Sequence, residues 1–137
     1  MDLLIYALIW TTISIVISII LYYLLWINGY LIKSRKTSIL FVGSLRSQNR
    51  CKFKIINCNG YIKKVIKIRE SRNYNFTFNS NITTGYVTAE IQDVNKRILL
   101  QLDKDNPESA IKLEKNYRYY LVLRFAKAEG EFDLVWN

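Results

Sequence analysis

Residues 3–32, LLIYALIWTTISIVISIILYYLLWINGYLI, hold no charged side chain; Asp2 precedes them, and Lys33, Arg35 and Lys36 follow at once. A segment apolar on every side needs lipid or a protein interior around it. A hydrocarbon core about 30 Å thick is crossed by roughly 20 such residues. The stretch therefore predicts a single transmembrane α-helix as anchor over residues 1–32, long enough to tilt or overhang. The protein is expected to be a single-pass cell-membrane protein, with residues 33–37 as a basic juxtamembrane linker.

Two patterns lie inside that helix. Ala7, Thr11, Ser14 and Ser18 recur at steps of four, three and four, which gathers small residues on one helix-packing face. Such a face lets a second helix approach closely, either another copy of the chain or another membrane protein. Their hydroxyls are equally able to bond back to the preceding turn. Tyr22, Tyr23, Trp26 and Tyr30 form an interface belt of amphipathic rings ahead of the basic stop. Because the cations follow the span, the positive-inside rule places the remaining chain in the cytoplasm.

Beyond residue 37 the apolar pattern changes from a continuous run to alternation, which is the strand signature. Phe53 and Ile55, Tyr74 to Phe78, Val87 to Ile91, Ile98 to Leu102, Tyr117 to Phe125 and Phe132 to Trp136 each place alternate residues on one side. Turn signals fall at Asn59-Gly60, Thr84-Gly85, 93–95, 103–107 and Glu129-Gly130. About eight or nine short strands and no amphipathic helix predict an all-β domain over residues 38–137. An antiparallel β-sandwich is expected, with a small β-barrel as the alternative. Roughly 100 residues suffice for one core and not for two.

Charge is unevenly spread. Residues 33–72 carry twelve basic side chains against Glu70 alone, whereas residues 73–137 carry eight basic against nine acidic. Lys33, Arg35, Lys36, Lys63, Lys67 and Arg69 form a basic membrane-proximal surface, and each cation near an anionic leaflet is worth about 1 kcal/mol. Membrane lipid is thus an expected partner. Lysines on a sheet face also keep it soluble and its edges unpaired.

Reaction chemistry is hard to find. The chain has no histidine, so the usual proton shuttle and the commonest metal ligand are missing. Cys51 and Cys58 alone cannot complete a structural zinc site; they form a disulfide if the domain lies outside the cell and stay free thiols if it lies inside. Phosphate-cradling glycine loops and a G-x-S-x-G elbow are absent. Asp103, Asp105 and Glu108 cluster, but the third oxygen ligand, central glycine and twelfth-position glutamate of an EF-hand are missing. No catalytic residue, cofactor, metal or small-molecule substrate is expected, and the protein is read as not an enzyme. Nucleic acid is not expected either, because the aromatics fall on the apolar side of the alternation, where a core needs them.

Three stretches carry a resemblance: Phe41-Val42-Gly43-Ser44-Leu45; residues 84–93, TGYVTAEIQD; and residues 119–122, YYLV, with 128–136, AEGEFDLVW. In strand-and-turn rhythm they resemble the small β-sandwich modules of Gram-positive surface lipoproteins and membrane-anchored proteins of unassigned function. The resemblance implies extracytoplasmic display and binding, opposite to the side the charge rule gives. A lipobox cysteine and a basic N-terminus are not present. The expected function is a non-enzymatic accessory protein whose sandwich, displayed at the membrane, contacts an envelope or membrane protein. The alternatives are a structural subunit of a membrane or pilin-like assembly and an anionic-lipid-surface binding module.

Overall fold

The computed structural model describes residues 2–29, 31–44 and 49–137. Helix α1 spans Asp2–Ile27, 26 residues or about 39 Å at 1.5 Å each, long and apolar enough to cross a membrane. None of its residues is buried. It stops five residues short of the expected boundary for a local reason. Gly29 sits at φ +77°, the left-handed cap that a residue without Cβ adopts cheaply. The Gly29 N–H donates to Trp26 O at 3.1 Å and the Asn28 N–H to Leu24 O at 3.2 Å.

The expected linker over residues 33–37 is a strand instead. β1 (Ile32–Thr37) pairs antiparallel with residues 59–64, Ile32 opposite Lys64 and Thr37 opposite Asn59. It becomes the edge of its layer, and Arg35 and Lys36 are side chains of the kind that discourage further pairing there. The other strands are β2 (Leu40–Ser44), β3 (Arg50–Ile66), β4 (Arg72–Gln92), β5 (Ile98–Leu102), β6 (Glu108–Leu113) and β7 (Tyr119–Trp136). All pairings are antiparallel, in the order β1-β3-β7-β4-β5, with β2 also on β3 and β6 also on β4.

Seven strands stand where eight or nine were expected, because three of the expected turns are bends within strands. β3, β4 and β7 have 17, 21 and 18 residues. Straight, the last would extend about 60 Å, far beyond a domain of this size. Each bends where its register slips, between Ile55 and Gly60, between Ile82 and Tyr86, and at the β7 residues opposite them. Asn57, Gly60, Gly85, Lys127 and Gly130 take positive φ along this row. At Gly85 a Cβ would run into the Ala126 and Lys127 carbonyl oxygens, so the bend closes by a backbone approach that only glycine permits.

The bends fold one sheet onto itself. One layer is β2-β3-β7-β4-β6, the other β1-β3-β7-β4-β5, each using half of the three long strands. Phe125 and Phe132 are seven residues apart on β7, about 23 Å along a straight strand, yet their rings lie 5.9 Å apart. Phe41 of β2 meets Phe125 edge-on at 5.9 Å, joining the layers from another strand. A single apolar cluster fills the space between, with Phe53, Phe76, Phe78, Phe132 and Trp136 from one layer and Ile62, Ile91, Leu121, Leu123 and Phe125 from the other. This is the expected antiparallel sandwich.

Candidate functional site at the helix exit

The two ends of the sandwich differ. At one end lie the bends and the β5–β6 turn; at the other, the loops 67–71, 93–97 and 114–118 close the strands. Helix α1 joins the loop end. Its residues are exposed as far as Leu24, and from Leu25 to Gly29 they are half-buried, because this last turn lies on the outer face of β3 and β7. The Trp26 ring stacks on Tyr120 at 6.4 Å. Lys63 holds its ammonium 4.3 Å above the same Tyr120 ring, and Lys67 Nζ donates to Asn28 Oδ1 at 2.9 Å. Hydrogen bonds from the Arg118 guanidinium to Tyr23 and Tyr120 raise its pKa above the ordinary arginine value. A Cβ at Gly29 would come 2.5 Å from Val65 O, so the cap is also where the chain fits against β3.

Between this helix end and the two loops lies a groove of about 720 Å³, lined by Ile27, Asn28, residues 65–69 and residues 115–118. Four cations line it: Lys67, Arg69, Lys115 and Arg118. Among the described residues the ion pairs are Arg50–Asp133 at 2.7 Å, Lys54–Glu131 at 3.9 Å and Arg124–Glu90 at 3.2 Å, and none uses a groove cation. Among the described residues no carboxylate, thiol or aliphatic hydroxyl lines it. The groove offers positive charge beside apolar surface. A second cleft of about 370 Å³ continues past Lys67, Ile68 and Arg69 to Arg72, Tyr74 and Trp136.

The structure divides the residues singled out from sequence. Lys67 and Arg69 meet in the groove, with Lys63 beside it. Arg35 and Lys36 do not join them; β1 carries them toward the bends, where Lys36 Nζ lies 4.0 Å above the Phe41 ring. Tyr23 and Trp26 reach the head, while Tyr22 stays exposed on α1. Tyr30 and the Lys33 side chain lie outside the described residues, as does Leu45 of the quoted resemblance. Ala7, Thr11, Ser14 and Ser18 are exposed on α1. Thr11 Oγ1 donates to Leu8 O at 2.9 Å and Ser18 Oγ to Ser14 O at 2.8 Å. A shallow groove of about 320 Å³ runs past Ser14 and Ser18. Cys51 and Cys58 are free and buried, so no disulfide joins them; each packs into the core cluster on its own side of the Asn57 bulge. Burial pushes the Cys51 thiol up to about 12 and raises that of Cys58. Asp103 accepts from the Asp105 and Asn106 N–H groups at 2.9 and 2.8 Å, so its carboxylate organises a turn.

Two groups escaped the sequence reading. Lys115 and Arg118 belong to the half of the chain with no net positive charge, and only the fold brings them to Lys67 and Arg69. Lys64 shares the core-facing register of Ile62 and Ile66 and is 7% exposed; burial lowers its pKa. Its even position in the alternation was a signal available in the sequence.

No family model and no curated protein matches the chain. Among solved structures it is similar to the enzymatically active domain of tailspike protein 4 of bacteriophage CBA120, at 8% identity and TM-score 0.45. That match covers 77% of this chain and 19% of that one, so the chain spans under a fifth of it. A carbohydrate-binding module of Cellvibrio mixtus lichenase 5A, solved with cellotriose, is similar at 8% identity and TM-score 0.41, over 80% of this chain and 97% of the module. Accessory secretory protein 1, 2 and 3 of Streptococcus pneumoniae gives 9% identity and TM-score 0.38, over 73% and 87%. These neighbours range from an enzymatically active domain to a carbohydrate-binding module and an accessory secretory protein; the expected tie to Gram-positive lipoproteins has no support from sequence.

Proposed function

We propose that the chain is a non-enzymatic, single-pass accessory protein. In this reading α1 anchors it in a membrane, the loop end of the sandwich faces the lipid, and the bend end is presented to a protein partner. One observation carries the reading: the last turn of α1 is built into the head. Trp26 on Tyr120, Asn28 with Lys67 and Gly29 against Val65 are contacts a discarded leader would have no use for. The charge of the loops agrees with it. Loops 67–71, 93–97 and 114–118 hold six cations against three carboxylates, whereas the β5–β6 turn 103–107 holds two carboxylates against Lys104. At the bend end Ile39 and Tyr86 are 75% and 77% exposed, apolar and aromatic surface of the kind that protein interfaces bury.

Extraction of cell membranes tests the anchor. The full-length chain should stay with the membrane through alkaline carbonate and high salt and leave it only in detergent. Release by carbonate, or recovery of a chain shortened by the length of α1, overturns the proposal. Protease treatment of intact cells carrying a C-terminal tag then reads on which side the head lies.

A further inference from the structure

We infer that the groove at the helix exit is a binding site for the phosphate group of an anionic phospholipid. The inference rests on the anchoring proposed above, and four features of the groove converge on it.

The first is depth. The belt rings Tyr23 and Trp26 mark the hydrocarbon boundary of such a helix, and the groove begins at the very next residue, Ile27. At 1.5 Å per residue its helix-side edge, at Ile27, lies within a few ångströms of that boundary. The headgroup layer is about 5–8 Å thick on each side, so the groove opens where lipid phosphates lie. The second is charge. Lys67 and Arg69 come from the β3–β4 loop and Lys115 and Arg118 from the β6–β7 loop, so the cations stand on both walls. Among the described residues none is in an ion pair. The Arg69 fork and two ammonium groups suit a phosphate, which accepts from several directions, while Arg118, turned to Tyr23 and Tyr120, adds its charge beside them.

The third feature is the lining between the cations. The half-buried Ile27 and the exposed Tyr117 ring supply apolar surface beside them, with the buried Val65, Ile66 and Ile68 behind; a free inorganic anion would not use it and a glycerol backbone with its first acyl carbons would. The fourth is size: about 720 Å³ falls within the range of small-ligand sites. Asn116 and Tyr117 add neutral polar groups at the loop rim for a headgroup substituent. Lys67 is held by Asn28 at 2.9 Å, a neutral partner that fixes its position and leaves its charge intact.

The full chain in detergent micelles doped with equal amounts of phosphatidylglycerol and phosphatidylcholine provides the test, with bound lipid read by native mass spectrometry. Phosphatidylglycerol should be retained over phosphatidylcholine. The exposed pair Arg69→Gln and Lys115→Gln should cut that preference by roughly fivefold for each cation removed. Both side chains lack packing contacts in the core, and the melting temperature of the double variant reports that the fold is kept. Lys104→Gln with Lys127→Gln, at the bend end, is the charge-matched control and should change nothing. Equal retention of the two lipids, or an equal loss in the control, overturns the inference even if the chain remains a membrane protein. Glycerol phosphate or inorganic phosphate, added at millimolar concentration, separates the sources. Failure to displace the lipid supports the lipid site, whereas displacement at equal affinity assigns the groove to a soluble phosphate and overturns the lipid half. Carbonate extraction is scored separately, so a failed anchor is told apart from a failed groove.

Discussion

At the residue scale, the most consequential side chains are those that escape the pattern of their strand. Lys64 and Cys51 both point into the core by register, one from each layer, and burial moves their titrations in opposite senses. Cys51 keeps its proton in the folded chain up to about 12, whereas in the unfolded chain it ionises near 9. Its contribution to stability is therefore whole below pH 9 and is lost as pH rises toward 12. Lys64 works the other way: its folded pKa lies below 10.5, so the unfolded chain holds more proton and stability rises with pH in that window. Between pH 9 and 12 the urea midpoint of the chain in detergent should fall relative to that of Cys51→Ala. Parallel curves for the two would show that the thiol carries no such linkage. Alternation alone places Lys64 inward, so this buried charge could be read from the sequence. The value of its pKa could not, since the partner across the core comes from the opposite layer.

At the scale of elements, the long apolar helix and the all-β character were legible, and the boundaries between elements were not. Asn59-Gly60, Thr84-Gly85 and Glu129-Gly130 carry the chemistry of turns, yet the backbone continues through each as the same strand. A glycine with positive φ serves a hairpin and a bulge equally well, and only the partner strand decides between them. β1 was hidden for a different reason. Its run of Lys33, Ser34, Arg35 and Lys36 offers no apolar alternation, and only its pairing with residues 59–64 marks it as a strand. The bends also set where the core is most sensitive. Phe132 packs on Phe53 at 5.4 Å, Phe78 at 5.7 Å and Phe125 at 5.9 Å, touching both layers at once. Phe132→Ala should cost about 3–5 kcal/mol, measured by chemical denaturation. A loss under about 1 kcal/mol would mean that the layers do not close on this ring.

At the scale of the whole molecule, charge is organised by the fold and not by position along the chain. The sequence places its excess of cations in residues 33–72, but Arg35 and Lys36 travel away from the helix exit while Lys115 and Arg118 arrive there from the other half. Half of the candidate site was thus legible, and the other half depends on two loops, far apart in sequence, closing the same end of a sandwich. The head is left with a basic pole around the helix and exposed Ile39 and Tyr86 at the opposite pole. A photoreactive amino acid in place of Tyr86 should capture a membrane or envelope protein in cells, and one in place of Lys115 should capture lipid. The reverse outcome would invert the proposed orientation.

The short path from α1 to β1 has a mechanical result. Only residues 28–31 separate the last helical residue from a strand hydrogen-bonded into the sheet, and the six residues of β1 reach from the helix exit to the bends, about 20 Å at 3.4 Å each. On the anchoring proposed above, so short a join sets the height at which the bend end stands over the bilayer, and a rotation of the helix turns that summit with it.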